Sequence, residues 1–174
     1  MLTKLGAALA AICMLSGASL AQEGAKPTDP QIAHIAYTAG EIDIKAAKQA
    51  LAKSRNKEVR AFAQQMVRDH TAVNKQALAL VKKLKVTPVD NDTSRSLLKQ
   101  ADDSAVQLST GPVPITRSAY HKTVDGALEN TLIPSASNPE LKSLLETGLK
   151  IFQGHLQHAE QVAADLQTAR TSRR

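Results

Sequence analysis

The stretch "NKEVRAFAQQMVRDHTAVNKQALALVKKLK", residues 56 to 85, decides how the chain folds. Val59, Ala63, Met66, Val73, Ala77, Leu80 and Leu84 recur at alternating spacings of four and three, which puts them on one stripe of an α-helix. A stripe of that width is the inward face of a bundle helix, because the helix buries it only by packing against others. His70 stands in the same row, at the position where the spacing calls for another apolar side chain.

Working outward, the flanking residues punctuate further helices. Asn56 caps this helix, with Glu58 in its first turn. Upstream, Asp29 reads as an N-cap followed by Pro30 at the first helical position, and the periodic run continues to about Lys53. These two helices form a hairpin. After "VTPVDND" a short helix is expected over roughly Thr93 to Leu108. "STGPVPIT" then interrupts, since Gly111, Pro112 and Pro114 cannot continue a helix. A further helix is expected from about Thr116 to Leu132, and after "IPSASNPE" a last one from Asn138 and Pro139 to about Gln167. Aromatic residues make up 2% of the chain, so strand-forming residues are scarce and helix is favoured throughout. The expected fold is all-α, a four-helix bundle with a short extra helix in the connection between its two hairpins.

Every long seam carries one strongly polar residue: Asp43, His70, His121 and His155. Antiparallel neighbours bring together residues equally far from their connecting turn. Asp43 lies about twelve residues before the first turn and His70 about fourteen after it, a mismatch of roughly 3 Å. His121 and His155 balance similarly around the turn near residue 136. One aspartate and three histidines are thus expected in one interior layer. Imidazole and carboxylate together suit iron, manganese, zinc or copper, with Asp69 and Glu160 as outer partners and His158 as an additional ligand. The alternative is a metal-free polar cluster in which Asp43 accepts hydrogen bonds from its neighbours. His34 falls on the face opposite the seam and reads as surface. Met66 reads as core, with a thioether contact to copper as the alternative.

The chain opens "MLTKLGAALAAICMLSGASLAQEG", with the features of a secretory signal ending at Ala21. Its apolar run is too short and interrupted to span a membrane, and no later segment spans one. The only cysteine, Cys13, lies in this segment, so the remainder is expected to fold without disulfides. The expected division is 1–21 signal peptide, 22–168 bundle and 169–174 basic tail, with export to the periplasm. The formal charge is +6, falling by one with Lys4. The cations are interspersed with acids and only four aromatic side chains follow the signal, so nucleic acid is not an expected partner. No catalytic residue is assigned: there is no Gly-flanked serine nucleophile and no phosphate-cradling Gly-rich loop.

"VRAFAQQMVRDHTAVN", "HKTVDGALENTLIPSASNPELKSLL" and "FQGHLQHAEQVA" resemble the secreted bacterial proteins grouped as domain of unknown function 4142, placed among ferritin-like four-helix folds. The resemblance extends over nearly the whole chain after residue 21. It implies a ferritin-like bundle of unestablished activity, periplasmic or associated with the outer membrane and cell envelope. On the matching positions it marks His70, His121 and His155 as family histidines, with Asp43 where relatives often carry Glu. Two departures stand out. "GPVPITRSAYH" is shorter than the corresponding family stretch and has Arg117 at a Glu position. The paired Glu-x-x-His motifs of ferritin-like di-iron sites are absent, so the resemblance does not carry over iron oxidation or storage.

Overall fold

The computed structural model describes residues 26–107 and 113–172, the side chains of 102–119 and 170 excepted. The signal-like segment, most of "STGPV" and the Arg117 side chain lie outside the described residues. Helices α1 (Asp29–Lys53), α2 (Lys57–Leu84), α3 (Asp92–Gln107), α4 (Val113–Ala127), the single turn α5 (Ile133–Ser135) and α6 (Pro139–Thr171) follow in order, with a π-helical turn at Leu128–Leu132. No strand occurs among the described residues. The fold is an all-α bundle: α1 packs along α2, α4 along α6, α2 against α6, and the shorter α3 lies on α1.

The helix starts follow from local chemistry. Asn56 Oδ1 accepts from the backbone N–H groups of Glu58 (2.9 Å) and Val59 (3.0 Å), and Asn138 Oδ1 does the same for Glu140 and Leu141. Each side chain satisfies N–H groups that the first turn leaves without helical partners. At α1 the expectation is corrected. The N-cap is Thr28, whose backbone N–H donates to the Gln31 side chain, and Asp29 is already helical. The Asp29 carboxylate instead accepts from Ser137 N, Ser137 Oγ and Asn138 N at 2.7–2.9 Å. It therefore ties the start of α1 to the entry of α6. At the other end of the first hairpin, the Arg60 guanidinium donates to the carbonyls of Leu51 and Ser54, groups that the end of α1 leaves exposed.

Two boundaries differ from expectation for one reason. Proline is tolerated in a first turn, so α4 begins at Val113 with Pro114 inside it rather than at Thr116. Proline is not tolerated in a regular helix interior, because its ring meets the carbonyl four residues back. Pro134 would meet that of Asn130, and the chain widens there: the Ile133 N–H donates five residues back to the Leu128 carbonyl. The helix thus runs through to Ser135 instead of stopping at Leu132. α6 likewise runs four residues past Gln167, to Thr171.

The core is divided. One apolar cluster contains Ile32, Ile35, Ile42, Val124, Leu128, Leu145 and Phe152. A second contains Ala47, Val59, Phe62, Met66, Ala159 and Val162. Along α1, Asp43 falls between Ile42 and Ala47; along α6, His155 falls between Phe152 and Ala159; along α2, His70 falls between Met66 and Val73, which packs on the first cluster. A polar layer separates two apolar ones.

Candidate metal centre

Three helices supply that layer. His70 from α2, His121 from α4 and His155 from α6 are each 1% exposed, and one ring nitrogen from each lies within 4.8 Å of the other two. Ring centroids are 5.1 Å apart for His70–His155, 5.9 Å for His121–His155 and 6.1 Å for His70–His121. A tetrahedral ion bonded at about 2.0–2.1 Å needs its nitrogens about 3.3 Å apart, closer than the 4.8 Å within which these nitrogens lie, so binding would draw the rings together. The rings are held from outside. Phe152 stacks on His70 with centroids 4.6 Å apart and planes 7° from parallel, and Phe62 meets His155 edge-on at 6.5 Å.

Carboxylates complete the surroundings. Asp43, 2% exposed, brings Oδ2 to 3.7 Å from His70 Nε2, an ion-pair distance longer than a hydrogen bond. The three imidazoles form the group whose ligand atoms all lie within 4.8 Å of one another, and Asp43 is not part of that group. Asp69 lies one position before His70, so on α2 it points about 100° away from the seam, and its Oδ2 accepts from His155 Nε2 at 2.9 Å. With Nε2 carrying the proton, Nδ1 presents a lone pair; that atom is buried with no hydrogen-bond partner among the described residues. Burial pushes the His155 pKa below its ordinary value, helped by His121 and opposed by the hydrogen bond to Asp69. His155 is therefore neutral at pH 7, the form in which imidazole binds metals.

The remaining expected residues divide. His158 is turned away: its Nδ1 pairs with Gln65 Oε1 at 2.9 Å and its ring lies edge-on to Phe62. Glu160 pairs with Lys122 at 2.8 Å on the surface, clear of the imidazoles. Met66 is core, 1% exposed and part of the second apolar cluster. His34 is not the surface residue expected. It is half-buried, with Nδ1 at 2.8 Å from Ser94 Oγ, because α3 covers the face of α1 that the hairpin leaves outward.

One acid was missed by the seam reading. Asp125 follows His121 by four residues, so it lies one turn further along the same face of α4. It is 6% exposed, and neither carboxylate oxygen has a hydrogen-bond partner among the described residues. Its pKa is raised to about 6, first by burial and then by the charges of Glu129 and Asp43. The His-x-x-x-Asp spacing at 121–125 was the available signal, overlooked because Val124 and Leu128 occupied the core positions.

The family described as Domain of unknown function (DUF4142) matches residues 15–113, more than half of the chain. That span includes Asp43, Asp69 and His70; His121, Asp125 and His155 come after it. No curated protein and no solved structure matches.

Proposed function

The chain belongs to the DUF4142 family, and from that premise we propose that it is an exported helical-bundle protein whose interior binds a transition-metal ion. The observation that carries this reading is the convergence of three fully buried imidazoles from three separate helices, one with its Nδ1 lone pair unused. His70, His121 and His155 would be the nitrogen ligands and Asp43 the charged one. Asp69 holds the His155 ring in the tautomer that leaves Nδ1 bare, the usual arrangement of a carboxylate behind a metal-bound histidine. The donor set suits iron, manganese, zinc or copper, and a bound ion would supply Lewis-acid or, for iron, manganese and copper, redox chemistry. Export to the periplasm and association with the cell envelope are part of the proposal, supported by the signal-like character of residues 1–21. Fractionating cells that express the chain with and without that segment tests the location.

Metal analysis of the purified protein, followed by equilibrium dialysis against each of the four ions, tests the centre. One ion per chain is expected, with a rise in melting temperature on binding. His155→Ala should abolish binding, and Asp69→Asn should weaken it by about 10–100-fold. Absence of stoichiometric binding of any of the four ions overturns the reading.

A second reading is favoured by the stacking of His70 on Phe152 and by the pairing of His155 with Asp69. Here the layer is a metal-free polar cluster that fixes helix register in a non-catalytic envelope protein. His70→Leu separates the two. A register cluster tolerates an apolar side chain of similar volume, whereas a metal centre loses its affinity.

A further inference from the structure

A cavity of about 380 Å³ lies in the first apolar cluster, lined by residues of α1, α2, α3, α4 and α6. Phe152 belongs to both the cavity and the histidine layer: it lines the first and stacks on His70 in the second. Of the α3 residues that line the cavity, Asp92, Thr93, Ser96 and Gln100 are exposed and mark its mouth, while Leu97 is buried in its wall. Inside, the walls are apolar, and the one buried polar side chain among the described lining residues is Asn74. Its amide already donates to Glu41 at 2.8 Å.

We infer that this cavity binds an uncharged, hydrocarbon-rich small molecule of about 10–15 non-hydrogen atoms, its apolar body among Leu128, Leu145 and Phe152 and any polar end at the α3 mouth. Size is the first reason. A cavity of ~150 Å³ holds one benzene, so this one takes a molecule roughly two and a half times larger, within the ordinary range of small-molecule pockets. Polarity is the second, since water in such walls finds too few hydrogen-bond partners and an apolar occupant displaces it at a gain. Charge is the third. The lining contains no Lys or Arg, and its one charged residue, the exposed Asp92, is already paired with Arg95 at 2.6 Å, so an anionic headgroup drawn between the apolar walls would lose its hydration without gaining a counter-charge there. That selects a neutral alcohol-like or hydrocarbon ligand over a fatty-acid carboxylate.

Gly148 supplies a direct test. It lines the cavity, and a Cβ placed there would meet Phe152 at 3.6 Å and Val73 at 3.9 Å, ordinary contacts that leave the helix undisturbed. A larger side chain at this position would occupy the space of the ligand, while replacing a mid-helix glycine favours the helix.

The experiment titrates the purified protein with the uncharged fluorophore 1-aminoanthracene and displaces it with 1-decanol or decanoate. Saturable one-to-one binding is expected, with decanoate about tenfold or more weaker than the alcohol. Gly148→Leu should weaken binding about tenfold or more while helix content is retained. Ala127→Leu, which fills the same cavity from α4, should act likewise and provides a second folded variant. No saturable binding by the parent protein, unchanged binding by both variants, or decanoate binding as tightly as 1-decanol overturns the inference. Because the titration needs no metal, its failure is distinguishable from failure of the metal reading.

Discussion

At the residue scale, His155 and Asp125 respond to burial with opposite consequences for pH. The His155 pKa is lowered, so its neutral form favours the folded state. Its contribution is fully present above the unfolded value near 6.5 and is lost as pH falls below it, because the unfolded chain takes up the proton first. The Asp125 pKa is raised to about 6. Its contribution is fully present below about 3.9, the unfolded value, and is lost as pH rises through 6, because the folded state then holds a buried charge near Asp43 and Glu129. In metal-free protein, Asp125→Asn should therefore raise the melting temperature by several degrees at pH 8 and leave it unchanged below pH 4, read by thermal melts across pH. An equal effect at both pH values would show that Asp125 acts through packing or hydrogen bonding rather than charge.

At the scale of the element, the helix ends are governed by interactions within a few residues. Lys85 ends α2 with φ 54°, left-handed, while its own N–H and that of Val86 close back on Lys82 and Val81. A lysine held there costs what a glycine does not, partly offset by the larger freedom of glycine in the unfolded chain. Lys85→Gly should stabilise by about 0.5–1 kcal/mol in urea unfolding; a loss of stability would mean that the lysine side chain itself supports the cap. At the entry of α6, Asn138→Ala should cost about 1 kcal/mol, as two N–H groups lose their acceptor. A loss below a few tenths would show that the Asp29 contacts carry that junction alone. These local features were readable from the residue order, apart from Asp29. Its Asp-Pro pairing marked a cap, but its carboxylate serves residues 137 and 138, more than a hundred positions away.

At the scale of the whole molecule, Phe152 joins the parts. It stacks on His70, sits in the first apolar cluster and lines the cavity. Phe152→Ala should destabilise by about 3–5 kcal/mol, since the neighbouring cavity leaves the side chains around it little incentive to collapse. Denaturant unfolding reads that loss; a cost below about 1 kcal/mol would mean the two compartments pack independently of the ring.

The sequence by itself determined that the chain is helical, where most helices begin, and which four polar residues interrupt the apolar seams. Helical periodicity, caps and prolines act within a few residues, and depth from a turn follows from the rise per residue. Only the tertiary structure decided the rest. It brought ring nitrogens of the three imidazoles within 4.8 Å of one another with Asp43 at 3.7 Å from His70, turned Asp69 towards His155, and laid α3 over His34. It also buried Asp125 and opened the cavity. These depend on rotation and spacing between helices distant in the chain, which neighbouring residues do not encode.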